Sequence, residues 1–278
     1  MTIEYIAKSS SFIFLYIILL LLSKWFKDFF TPYKLNEELT KKDNLAVALT
    51  MCGYYFAITA IFIGVFFGPS SGWIKDLASV GIYSLIGIIL LNLSRVINDK
   101  VILRKFCNIE HLTKNHNVAV GVVQFGTYFA TGLIAAGAIN GEGGSILTFI
   151  AFFILGQVSL FIFSLIYELI TKYSIHKELE KNNIAAGIAF SGSLVALGII
   201  IMNGISGDFI DWKENLIIVL SANILAFMFL PIAKIFMDSL VIPNDKLSRE
   251  IVEDKNIGAG FLEATIAICF ALILKIII

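Results

Sequence analysis

An ionisable side chain inside a membrane-length apolar run is expensive unless it is paired, protonated or turned to water, so such residues mark ion and proton contacts. Glu263 is the clearest case, seven residues after Asn256 in an otherwise apolar stretch, and Gln124 holds the same place after Asn117. If both faced one cavity at similar depth, they would form a plausible contact for an ion or a proton. The competing use of such groups is an interhelical hydrogen bond that holds a bundle together.

A second set of acids, Asp28, Asp99, Glu168 and Asp238, recurs where apolar runs end. Three have a base four residues earlier, Lys24, Arg95 and Lys234, the spacing that puts partners on one helix face. A cation-binding vestibule and a neutralised interfacial collar both fit this pattern; exposed ion pairs of that kind are common and weak.

Other chemistry is absent from the pattern. His111, His116 and His176 lack the i, i+4 pairing or nearby Cys of a zinc site and are expected to be solvated. Cys52, Cys107 and Cys269 have no paired spacing, which argues against a disulfide framework and for packing as small hydrophobes. No nucleophile elbow, phosphate loop or paired catalytic carboxylates occurs in a usable context, so no enzyme, cofactor or metal is expected. Asn92 and Asn223, inside apolar runs, are expected to hydrogen-bond between helices.

The elements that carry these residues follow from composition. The chain has 278 residues, 58% hydrophobic and only 15% charged, against roughly 25% charged in soluble domains. Mean hydropathy is +0.87 and the pI near 6.8, so no basic face is offered to nucleic acid. A bilayer core of about 30 Å needs about 20 apolar residues per helix. Eight segments approach that, near Ser10 to Phe30, Asn44 to Phe67, Leu77 to Ile97, Asn117 to Ile139, Ser145 to Ile170, Asn183 to Ile205, Asn215 to Met237 and Asn256 to Ile278. No small-residue cleavage site follows Phe12 to Leu22, so the first is expected to be retained.

Loops alternate between long and charged, and short and rich in Gly, Ser and Asp. Of the 21 Lys and Arg, all but Lys8, Lys75, Lys213 and Lys275 lie in or beside the long loops. The positive-inside rule then puts the long linkers in the cytoplasm and both termini outside.

The chain also repeats. Four helices open alike, at Asn44-Leu-Ala-Val-Ala, Asn117-Val-Ala-Val-Gly, Asn183-Ile-Ala-Ala-Gly and Asn256-Ile-Gly-Ala-Gly. Asn183 follows Asn44, and Asn256 follows Asn117, by 139 of the 278 residues. The expected fold is therefore all-α and integral to the membrane, with eight transmembrane helices in two parallel four-helix repeats, 1–139 and 140–278, each made of two hairpin-like halves. Each Asn can cap its helix, and small residues two, four and nine positions on fall on two opposed faces. That predicts even-numbered spans as an inner ring and Leu/Ile/Phe-rich odd-numbered spans as the lipid-facing ring.

Thr31-Pro32-Tyr33, Glu38-Leu39 and Asn44-Leu-Ala46-Val-Ala48 resemble the bacterial YjfL-like membrane proteins, domain of unknown function 350. The second half repeats the pattern at Thr171-Lys-Tyr173, Glu178-Leu179 and Asn183-Ile-Ala185-Ala-Gly187, with the proline lost. The resemblance implies four spans per unit and the bacterial cytoplasmic membrane, and it brings no established activity. Two functions remain open. One is a channel- or transporter-like protein passing a small ion or solute, with Glu263 and Gln124 as contacts. The other is a non-enzymatic scaffold for envelope maintenance, docking soluble cytoplasmic partners through linkers longer than a helical hairpin needs. Homo-oligomers within the bilayer are compatible with both.

Overall fold

A computed structural model describes residues 3–103, 107–236 and 246–277. Eight helices are long and apolar enough to cross a membrane: α1 (Ile3–Phe30), α3 (Leu45–Phe66), α4 (Trp73–Val101), α6 (Val118–Ile139), α7 (Ile146–Ile170), α9 (Ile184–Ile205), α10 (Trp212–Phe236) and α12 (Ile257–Ile277). Four six-residue helices lie in the linkers, α2 (Leu35–Thr40), α5 (Asn108–Thr113), α8 (Ile175–Glu180) and α11 (Leu247–Val252). The chain is a duplicated eight-span membrane protein.

Every inner helix starts in the same way. A short linker helix ends, one residue turns into the left-handed region (Asp43, His116, Asn182, Lys255, φ between 46° and 57°), and an Asn follows. Asn44, Asn117, Asn183 and Asn256 each accept from the backbone N–H three residues on, Val47, Val120, Ala186 and Ala259. This satisfies one of the amides that a helix start leaves without a partner.

The Asn side chains also tie neighbours together. Asn44 Nδ2 donates to the Leu112 carbonyl of α5 at 2.8 Å, Asn117 Nδ2 to Leu179 of α8 at 2.7 Å, and Asn183 Nδ2 to Ile251 of α11 at 2.8 Å. The first three inner helices are thereby stitched to the linker that introduces the next.

Small residues then bring backbones into contact. A Cβ on Gly121 would sit 2.5 Å from the Ala46 oxygen, and one on Gly126, 2.7 Å from the Ser191 oxygen, on the other side of α6. Gly187 repeats the first contact on Ala119, Gly260 on Ala185, and Gly192 the second on Ala264. The result is a row of parallel helices in the order α3, α6, α9, α12. The second layer lies in its grooves, with α4 against α3 and α6, α7 against α6 and α9, α10 against α9 and α12, and α1 against α3 and α4.

The expected closed inner ring is thus an open row, since α3 and α12 form no interface of comparable extent among the described residues. Helix geometry explains it. At 100° per residue the two small faces of an inner helix lie about 130° apart, whereas four helices closing on themselves need about 90°. Burial follows position, with α9 almost wholly enclosed and α1 the most open span.

Candidate functional site

Two polar clusters lie inside the bundle, one per repeat, each about two to three turns from the end where inner helices begin. In the first, Lys27 of α1 is 1% exposed and donates to the Tyr128 hydroxyl of α6. Its ammonium also lies 5.1 Å from the Tyr54 ring centroid and 4.2 Å from that of Tyr128, within cation–π range. Tyr54 donates to the Ser23 carbonyl at 3.0 Å and accepts from Asn92 at 2.9 Å. Beside it Arg95 pairs with Asp99 at 3.6 Å, and Gln124 Nε2 donates to Asp99 at 3.1 Å. A cavity of about 10 Å³ between them, lined by Arg95, Asp99, Gln124 and Tyr128, is at the threshold for one water.

In the second cluster Glu263 of α12, 3% exposed, accepts through Oε1 from Tyr167 at 2.7 Å and from Lys234 at 3.0 Å. Lys234 also lies over the Tyr167 ring at 4.7 Å and the Tyr173 ring at 5.8 Å. The other carboxylate oxygen, Oε2, is buried without a hydrogen-bond partner, the one carboxylate so placed among the described residues. Glu263 also lines a cavity of about 10 Å³, with Tyr167, Ser193 and Lys234.

The repeat relates the two clusters. Arg95 corresponds to Lys234 and Gln124 to Glu263, so Glu263 and Gln124 occupy equivalent places in separate clusters and do not face each other across one cavity. The expected shared site is corrected on this point, because an open row gives each repeat its own groove. Lys27, Tyr54, Tyr128 and Tyr167 were missed by sequence reasoning. Lys27 had counted as a linker base, and tyrosines in apolar runs carry no warning of their own.

The four acids diverge. Asp99 turns inward, Asp28 accepts from the Leu35 N–H at 3.1 Å at the start of α2, and Glu168 pairs with His176 Nδ1 at 3.1 Å. Asp238 lies outside the described residues. Of the expected i, i+4 pairs whose members are described, Arg95–Asp99 forms and Lys24 reaches Asn36; Lys234 binds Glu263. The three described acids do not make a uniform collar, because helix ends held by linker helices offer each a different donor.

Three further expectations change. His176 is buried, its Nε2 3.0 Å from the Ile102 carbonyl, and His111, half-buried, accepts through Nδ1 from Asn117 at 3.2 Å. All three cysteines are exposed. Asn92 does bond across helices, whereas Asn223 donates to the Val219 carbonyl of its own helix.

Outside the spans, Glu38 and Glu178 bind the inner-helix caps, Glu38 accepting from Asn44 at 2.8 Å and Lys42 at 2.7 Å, Glu178 from Asn183 at 2.9 Å and Lys181 at 3.0 Å. Burial works to raise both carboxyls, and these hydrogen bonds outweigh it and hold them below the ordinary range. Burial pushes the Tyr33 phenol up to about 12. Burial, then the charges of Glu263 and Glu178, pushes Tyr173 well up. A depression of about 500 Å³ at the opposite end, among the short turns, holds Glu142 and none of the clustered charges.

The family described as Domain of Unknown Function (DUF350) matches twice, over residues 1–139 and 143–278. The chain belongs to this family. A UPF0719 transmembrane protein of Aquifex aeolicus (strain VF5) is 26% identical over 245 residues, covering 85% of this chain and 87% of that protein. No solved structure matches the chain. The DUF350 chain is accordingly a multi-pass protein of the bacterial inner-membrane type, carrying two tandem copies of the family unit.

Proposed function

We propose that this DUF350 chain, read as a YjfL-like member, is a non-enzymatic, transporter-like protein that handles a proton or a small cation at its buried clusters. The linkers are read as cytoplasmic and both termini as outside, on the charge bias of the loops. The observation that carries the reading is the second oxygen of Glu263, buried without a donor on a residue that also lines space for one water. Leaving a buried carboxylate oxygen unpaired costs stability unless something else visits it. A proton on Glu263 would weaken its hold on Lys234, and a small cation would take that ammonium's place. Pro231 of α10 supports movement there, since it removes a helix hydrogen bond one turn before Lys234 and so weakens the helix locally.

The reading differs from passage along a central axis, because the inner row is closed by backbone contacts at Gly121, Gly126, Gly187 and Gly192. The linker length that motivated a docking scaffold is used within the fold, where Leu35, Leu112, Ile175, Leu179, Leu247 and Ile251 are buried. The test is reconstitution into liposomes with an internal pH dye and imposed proton, Na+ or K+ gradients. Wild-type flux lost in Glu263→Gln and retained in Gln124→Leu is expected, with folding checked by circular dichroism. Wild-type liposomes indistinguishable from empty ones would overturn the reading.

A further inference from the structure

The row of inner helices is built from one contact used three times in one register. The residue two after each Asn meets the residue four after the next Asn, as in Ala46 with Gly121, Ala119 with Gly187 and Ala185 with Gly260. Further along, Gly126 meets Ser191 and Gly192 meets Ala264. Both ends of the row carry the unused halves of this contact. On α12 the outgoing positions are Gly258, Thr265 and Cys269, all exposed; on α3 the incoming positions include Ala48, half-buried, and Cys52 and Ile63, exposed.

Two independent observations point to the same missing neighbour. Asn44, Asn117 and Asn183 each reach a carbonyl in the next linker helix, whereas Asn256 Nδ2 is exposed and bonds Glu250 of its own linker. The position equivalent to Leu112, Leu179 and Ile251 in a following unit is Leu39, five residues before Asn44. Meanwhile α4, α7 and α10 each pack on two inner helices, the one before and the one after, whereas α1, which precedes the row, packs chiefly on α3 and α4.

We propose that copies of this chain associate head to tail in the membrane, α12 of one docking on α3 and α1 of the next, so that the row continues across the subunit boundary. The contact is heterologous, joining two different faces, and continues until curvature closes it. Close approach of small residues is what drives helix association where lipid surrounds both partners, and these faces supply it. In register, Thr265 of one copy meets Cys52 of the next, and Asn256 donates to the next copy's Leu39 carbonyl.

Two differently tagged chains test this in native membranes. Both carry Cys107→Ser and Cys269→Ser; one keeps Cys52 alone, and the other carries Cys52→Ser with Thr265→Cys. Oxidation of co-expressed copies is expected to give a mixed band at twice the 30.7 kDa chain mass, with neither chain crosslinking to itself. Placing the second chain's cysteine at Ile154, exposed on α7 between the ends of the row, is expected to give no band. Gly258→Leu in the second chain overpacks the face and is expected to weaken capture about ten-fold. Self-crosslinking of either chain would mean a two-fold contact and overturn the proposal, as would a purified wild type that is monomeric in nanodiscs and uncrosslinked in membranes.

Discussion

The two polar clusters begin from one ancestral arrangement and reach charge balance differently. In the first, a guanidinium from α4 (Arg95) pairs with Asp99, while an amine from α1 (Lys27) lies over the rings of Tyr54 and Tyr128 and donates to the Tyr128 hydroxyl. In the second, one amine from α10 faces one carboxylate from α12, and that carboxylate keeps an oxygen in reserve. Duplication therefore preserved the place and changed the chemistry. With a neutral amide at Gln124, both Asp99 oxygens of the first cluster have partners, and with a carboxylate at the equivalent Glu263 the second keeps an unpaired oxygen, which is why the proposed exchange is placed there.

The sharpest way to break that contrast is to remove half of the buried pair. Glu263→Leu or Lys234→Met alone is expected to cost about 3–5 kcal/mol, because each strands the other's charge. The double variant is expected to recover part of this, measured as a coupling energy by unfolding in detergent. Gln124→Leu, at the equivalent place, leaves Arg95–Asp99 intact and is expected to cost about 1 kcal/mol, one hydrogen bond. Equal losses at the two positions would show that the clusters are energetically alike.

Lys27→Met probes the first cluster by itself. Its expected cost is about 2 kcal/mol, the scale of a desolvated cation over aromatic rings. Replacing Tyr128 with Phe in the same background should add little if the amine is the main partner of that hydroxyl. Additive losses in the thermal shift assay would sever the proposed link.

The contrast also shows what the sequence made legible. Span number, the duplication and all four Asn caps follow from hydrophobic length and an offset, quantities local to the chain. The clusters do not, because Lys27 and Tyr128 are 101 residues apart and meet only through the packing of α1 on the row. Lys234 was readable as the counterpart of Arg95, but i, i+4 spacing along its own helix could not reveal Glu263, which it meets across the groove. The row itself was half legible: small residues at fixed offsets gave two contact faces, and taking them as opposed hid the angle that decides between ring and row.

The last contrast lies at the linkers, where it tests whether the halves also differ. Asn183→Ala removes a cap, the Glu178 contact and the stitch to Ile251, with an expected cost of about 2 kcal/mol, whereas Asn256→Ala in a monomeric preparation removes an exposed cap, at about 0.5 kcal/mol. The acids behind the caps make this pH-dependent. Glu38 and Glu178 have folded-state affinities for protons below the unfolded value of 4.5. Their stabilisation is complete above that value and is lost as pH falls through the lower, folded one. Unfolding midpoints measured between neutral and strongly acidic pH should fall in the wild type over that range, and Glu38→Gln with Glu178→Gln should flatten the fall. The amide accepts from Asn and Lys without a charge to lose, so an unchanged acid limb in the double variant would assign the acid sensitivity to carboxylates elsewhere and leave the caps equivalent in both halves.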